Sequence, residues 1–198
     1  MPANSALYAE RPFQAPGAES RPFLGSSCLL VGSTLCGGAA YAALEGFFRE
    51  YAVAAGAPDQ PQYDVMARLL KEAPSRPWQV CTAFSGTRED PSASGSVQGL
   101  RREDLHPAGF IAGVLYGMAQ ELYGLYQVMK PGAGLPPQNL VASGNGVRRN
   151  PCLQRALAET FSMPLSLVEA QEEAAFGAAL SALGATGRLS LKERLGIE

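Results

Sequence analysis

Two short stretches hold residues whose types and spacing could do chemistry. The first is Leu35-Cys36-Gly37-Gly38-Ala39, and the second runs from Ser143 to Pro151 as SGNGVRRNP. Each follows an apolar run and opens an amphipathic one, so each reads as a strand–loop–helix junction. At such a junction the first backbone N–H groups of the helix have no intrahelical acceptor, and the helix dipole adds partial positive charge. Glycine lets a flat or anionic ligand come close to that backbone. Two such junctions in one domain are what a cleft for a nucleotide-like ligand requires. The local residues also fit a plainer reading. Gly37-Gly38 suits a simple turn, and Asn150-Pro151 is a good N-cap followed by proline at the first helical position. No Gly-Lys-Ser/Thr follows, so this is not a P-loop, and the glycine spacing is not that of a dinucleotide fold.

The elements that would hold these junctions can be read from periodicity. Ser27–Thr34 is a compact apolar run and predicts a buried strand. Leu44, Phe47, Phe48 and Tyr51 recur at helical spacing over Ala39–Ala54, with Glu45, Arg49 and Glu50 on another face. A second helix is expected at Gln62–Lys71, then a turn at Pro74–Pro77 and a strand at Trp78–Phe84. Ser85–Gly99 is a polar loop, longer than ordinary connections. His106-Pro107 opens a long helix with Phe110, Val114, Met118, Leu122, Leu125 and Met129 as its stripe. Gly109, Gly113, Gly117 and Gly124 each cost that helix about 1 kcal/mol against alanine, so close packing on another element is expected there. Strands at Asn139–Ala142 and Leu165–Val168 flank a helix at Pro151–Phe161. An alanine-rich helix follows at Glu172–Leu183, and a short one closes the chain near Leu191–Leu195. Met1–Arg21 reads as irregular, with one extended piece at Ser5–Tyr8. The alternation predicts an α/β domain.

Composition narrows the classes. The chain has 198 residues, 46% of them hydrophobic, and a formal net charge of −2. That suffices for a packed core and gives little electrostatic steering. The basic residues are scattered apart from Arg101-Arg102 and Arg148-Arg149, so no nucleic-acid partner is expected. Pro107–Met129 is long and apolar but holds Gln120, Glu121 and Gln127; a buried helix fits it better than a membrane span. Four cysteines without a C-x-x-C pair and a single histidine, His106, predict no metal site. Cys28, Cys36, Cys81 and Cys152 are expected as reduced, packed thiols in a cytoplasmic protein. His106 is expected to cap its helix, Trp78 to sit in the core, and Glu172 and Glu173 to favour the first turn of the last helix.

Leu140–Leu165 followed by Glu169–Gly187 resembles the adenine-binding segment and final helix of the FGGY carbohydrate kinases. Phe84–Leu100 resembles the loop in which that family carries a T-R-x-D-P-like sequence, and Leu35–Phe48 the segment with a backbone glycine near the nucleotide. The S-G-N-G-V-R-R-N-P form is most similar to the sedoheptulokinase branch; relatives more often have a Gly-Gly pair at Gly144-Asn145. The resemblance covers the chain from about Ser5. It implies an actin-like ATPase, ribonuclease-H-like domain with a mixed sheet flanked by helices, spanning 23–187, with an irregular segment at 1–22 and a tail at 188–198. It implies ATP as ligand, with Mg2+ held mainly through ATP and a preceding domain. Gly144, Asn145 and Gly146 would line the adenosine pocket, Arg149 or Asn150 would approach the base, and Gly37, with Gly38, would sit by the nucleotide. The loop Ser85–Ser94 would help shape the cleft.

Two departures matter. The family's Gly-Thr-Ser phosphate turn is replaced by Pro2-Ala3-Asn4-Ser5-Ala6. The family's catalytic aspartate lies in a glycine-rich turn of the preceding domain and has no counterpart here; Asp59, Asp64, Asp90 and Asp104 stand in other contexts. No catalytic residue is therefore assigned, sugar is expected as a substrate only together with that preceding domain, and the isolated chain is expected to have negligible kinase activity. Another kinase of the family, acting on xylulose, ribulose or glycerol, and a non-catalytic nucleotide-binding or interaction module remain open alternatives.

Overall fold

The computed structural model describes residues 3–23, 27–72, 78–134, 136–169 and 172–186. The expected turn at Pro74–Pro77 and the closing helix at Leu191–Leu195 lie outside these residues.

The chain begins with a three-stranded antiparallel sheet in the order β1–β3–β2. Here β1 is Asn4–Ala9, β2 is Ala18–Pro22 and β3 is Cys28–Ser33. The apolar run predicted as a strand is the centre, and β1 contains the extended piece expected at Ser5–Tyr8, Asn4 pairing with Ser33. The irregular reading of the rest of that segment is corrected at β2, where Ala18 pairs with Gly32. Ala18–Pro22 is an exposed edge strand whose polar sequence, AESRP, carries no apolar alternation. Backbone pairing to β3 makes it a strand.

Two helices follow. α1 (Gly37–Ala54) leads to α2 (Tyr63–Leu69), which tightens into a 3-10 turn at Leu70–Glu72. Glu45 does not sit on an outer polar face as its spacing suggests. It is 7% exposed, and its carboxylate accepts the Gln62 N–H at 2.8 Å. A buried carboxylate needs such donors. The bond fixes where α2 starts, and so where Tyr63 and Asp64 stand. Arg49 donates to the Asp59 carboxylate at 2.5 Å across the same connection.

β4 (Gln79–Cys81) pairs antiparallel with β5 (Ser96–Gln98), a strand inside the stretch read as loop. Between them the Ser92 N–H and hydroxyl donate to Asp90 at 2.9 and 2.6 Å, which holds that carboxyl below its ordinary range. α3 (Pro107–Met129) runs through the middle of the molecule. His106 caps it, its Nδ1 accepting from the Gly109 N–H at 3.1 Å. Two of the four glycines allow the close packing expected of them. A Cβ on Gly113 would stand 2.8 Å from Val80 Cγ2, and one on Gly117 would stand 2.3 Å from the Val80 carbonyl oxygen. Gly124 meets nothing within 4 Å. Ile111, Leu115 and Met129 of α3 are fully buried, and Trp78 packs edge-on against Phe110 with ring centroids 4.3 Å apart.

The last part is a parallel crossover. β6 (Leu140–Ala142) pairs in parallel with β7 (Leu165–Leu167). Between them lie a single turn of helix, α4 (Asn145–Arg148), and α5 (Pro151–Phe161). The tight loop expected at 143–150 thus holds a helical turn. α6 (Glu173–Ala185) follows. Parallel and antiparallel pairings both occur, spread over three hydrogen-bonded groups of strands. One core joins them, with Leu30 from the sheet, Met66 from α2, Ile111, Leu115 and Met129 from α3, and Phe161 from α5. No helix among the described residues is long and apolar enough to cross a membrane.

One charge sits awkwardly in this packing. Glu121 of α3 is half-buried and accepts the Thr82 hydroxyl proton at 3.0 Å. Burial is the larger influence and pushes its carboxyl above the ordinary value of 4.5, against the hydrogen bond. A raised acid binds more protons folded than unfolded, so stability falls as pH rises through that interval. Glu121→Gln keeps the acceptor for Thr82 and removes the charge. Its thermal midpoint is expected to exceed that of the parent at pH 7, and the gain should vanish below 4.5, where both states are protonated. Paired melting curves across that range check it.

Candidate functional site

A cleft of about 820 Å³ opens between α1, α2 and α5. Such a volume lies within the roughly 300–1,000 Å³ of ligand sites. Leu70, Leu115, Met118 and Leu153 give it an apolar floor. Tyr41 and Tyr63 form one wall, stacked with centroids 5.8 Å apart and planes at 27°. Burial and the neighbouring Cys152 and Tyr63 push the Tyr41 hydroxyl up to about 12. It is therefore a neutral group that can both donate and accept a hydrogen bond. Lys71, Arg149 and Arg155 stand on the rim, with Asp64 as the single carboxylate in the lining. A flat apolar slot beside cations suits an aromatic ligand that carries negative charge.

Both glycine junctions reach this cleft from distant parts of the chain. Gly38 comes from the start of α1, and Asn145, Gly146, Arg149 and Asn150 come from the 143–151 stretch. α1 has no side-chain cap, and its Ala39 N–H turns back to the Cys36 carbonyl at 2.6 Å. α5 differs: Asn150 accepts the Leu153 N–H at 3.1 Å and Pro151 occupies the first helical position. Asn150 therefore caps α5 and borders the cleft as well.

Two of the expected binding residues do not line it. Gly37 is buried beneath Gly38 with φ +35, a conformation that L side chains rarely adopt. Its role is to turn the chain from β3 into α1. Gly144 also turns the chain, with φ +98, and its N–H donates to Glu173 Oε1 at 3.2 Å. The same carboxylate oxygen receives the Arg148 guanidinium at 2.6 Å. Backbone and arginine donors together hold the Glu173 carboxyl below its ordinary value. The Gly144 amide is thus occupied by α6.

Sequence reasoning passed over the aromatic and α2 residues of the cleft. Tyr41, Tyr63, Asp64 and Lys71 carry no motif, and Tyr63 and Asp64 follow directly on the Gln62 amide that Glu45 holds. The loop 85–94 does not line the cleft. Arg88 donates instead to Glu19 on β2 at 3.1 Å. Cys81 is exposed, against the expectation of a packed thiol, while Cys28, Cys36 and Cys152 are buried. Among the described residues no group of three or more His, Cys, Asp or Glu could hold a metal ion.

The C-terminal domain of the FGGY family of carbohydrate kinases matches residues 15–186. This chain belongs to that family. A comparison with curated proteins finds no match. Solved structures share the FGGY domain's actin-like, mixed α/β fold. The xylulose kinase of Rhodospirillum rubrum has TM-score 0.79 and 18% identity, over 99% of this chain and 39% of its own. The gluconate kinase of Lactobacillus acidophilus has TM-score 0.78 and 21% identity, over 98% and 38%. The glycerol kinase of Plasmodium falciparum, solved with ADP, has TM-score 0.66 and 14% identity, over 96% and 39%. The FGGY domain described here thus spans less than two fifths of the length of these relatives.

Proposed function

We propose that this chain is the nucleotide-side domain of an ATP-dependent sugar or polyol kinase, and that the cleft between α1, α2 and α5 receives the nucleotide. One observation carries the reading. Gly38 and the Asn145–Gly146 turn, remote in sequence, border one cavity that has an aromatic wall and a cationic rim. The base would lie along the Tyr41–Tyr63 wall and the apolar floor, with Asn145 and Asn150 as hydrogen-bonding partners. Lys71, Arg149 and Arg155 would offset the charge of the phosphates. Asp64 is the single carboxylate here, which falls short of the oxygen ligands that Mg2+ needs. The ion would travel with ATP and take its other ligands elsewhere in the whole enzyme. That enzyme would move the terminal phosphoryl group of ATP to a sugar hydroxyl, by positioning and charge neutralisation.

The acceptor sugar is the finer part of the proposal. The SGNG form of the turn favours a sedoheptulose kinase and a role in pentose phosphate metabolism in the cytoplasm. The xylulose, gluconate and glycerol kinases among the similar folds support those acceptors at least as well. A non-catalytic interaction module is a second reading, favoured by Phe47, Tyr51 and Phe176, large aromatic side chains that stand exposed on α1 and α6.

Titrating the chain with ADP and with ATP by calorimetry tests the nucleotide reading. Saturable binding is expected, with a rise in thermal midpoint that grows with ligand concentration. No heat and no shift with either nucleotide at millimolar concentration would overturn it, and self-association on a sizing column would then favour the module.

A further inference from the structure

A second recess, of about 590 Å³, lies between the β4–β5 ribbon, α3 and the C-terminal end of α5. It shares no lining residue with the nucleotide cleft. Gln79 and Gln98 come from the ribbon, Gln120 and Tyr116 from α3, and Glu159 from α5. The Tyr116 hydroxyl donates to Glu159 Oε2 at 2.5 Å, which ties the two helices together and orients the carboxylate. Trp78 also borders the recess, and its indole N–H is the one buried side-chain polar atom among the described residues without a partner. An unpartnered buried donor is costly, which sets Trp78 apart from the other polar groups here.

The lining selects by what it holds and what it lacks. No lysine, arginine or histidine lines the recess, and its single charge is negative. A phosphate or carboxylate ligand would therefore lose its hydration and meet repulsion. A cation would find one exposed carboxylate, which is worth little in water. Three amides, a carboxylate and a phenol can exchange donors and acceptors with a ligand rich in both. We propose that this recess is a second ligand site on the domain and takes an uncharged polyol or sugar, hydrogen-bonded by Gln79, Gln98, Gln120 and Glu159. The proposal does not rest on the nucleotide reading.

Cys81 supplies the test, because it lines the recess and is the exposed one of the four cysteines. Its alkylation by iodoacetamide is followed by mass spectrometry with xylulose, xylitol, xylulose 5-phosphate or ADP present. At about ten times Kd, a polyol that blocks the recess slows alkylation about tenfold by mass action. Xylulose and xylitol are expected to protect saturably, the phosphate ester and ADP not at all. Emission from Trp78, the only tryptophan of the chain, should change over the same concentrations. Gln98→Ala on the exposed ribbon and Glu159→Gln should each weaken protection about tenfold, as befits the loss of a hydrogen bond to ligand. The proposal is overturned if neither polyol protects, if the 5-phosphate protects as well as xylulose, or if both variants protect like the parent. Failure of ADP to bind its own cleft would leave all these outcomes readable.

Discussion

Gly146→Phe is expected to fold normally and to lose nucleotide. Gly146 lines the cleft, its φ lies outside the left-handed region, and a Cβ built on it meets nothing within 4 Å. The first carbon of a side chain there meets no packed neighbour in the free protein. A phenyl ring would take up space that the ligand needs. ADP affinity should fall roughly a hundredfold or more, equivalent to about 2.8 kcal/mol, with the thermal midpoint of the free protein close to that of the parent. Gly146→Ala adds one methyl group and should cost far less. Calorimetric titration of the two variants beside the parent measures the difference. Undiminished ADP binding by the phenylalanine variant would place the nucleotide somewhere else.

Gly117→Val should have the opposite character, a large loss of stability. The first added carbon would stand 2.3 Å from the Val80 carbonyl oxygen, 3.0 Å from Thr82 Cγ2 and 3.2 Å from the Val80 carbonyl carbon. Two of these three neighbours are backbone, held in β4 by pairing with β5, so no flexible side chain can move aside. Overpacking of this kind costs about 1–3 kcal/mol, and the β-branched chain adds crowding within the helix, so about 3 kcal/mol is expected. For a domain of this size that is a fall of roughly 6–12 °C in thermal midpoint. Gly124→Ala, on the same helix, should do the reverse. Its Cβ meets nothing within 4 Å, so the helix propensity of alanine should stabilise by about 1 kcal/mol. Calorimetric melting of both variants checks the pair. A shared direction of change would mean that the close approach of α3 to β4 is wrong.

The parts of this fold that could be read from sequence are those set by local rules. α5 lies where Asn150, Pro151 and its apolar face place it, because cap, first-turn proline and periodicity agree within a dozen residues. α3 likewise starts at His106-Pro107, and Gly113 and Gly117 mark the face that β4 approaches. What escaped depends on partners far along the chain. Ala18–Pro22 becomes a strand only beside β3, and Ser96–Gln98 only beside β4. Glu45 looks like a surface charge until the Gln62 amide is brought to it. The glycine junctions were legible as a candidate site because their chemistry is local. Tyr41, Tyr63 and Lys71 were not, since nothing in their neighbourhoods says which way α1 and α2 will lean. The Gly144 amide looked available for the same reason: the carboxylate that occupies it lies 29 residues further on.

That last bond bears on how the protein is made. The turn carrying Asn145 and Gly146 is fastened by Glu173, so its geometry is incomplete while a growing polypeptide stops short of α6. During synthesis α1 and α3 leave the ribosome before α6, and the ligand pocket they help to wall stays unfinished until α6 has emerged. A stalled or prematurely terminated product would keep most of the core and lack the latch, which leaves quality-control proteases a loosened turn to recognise.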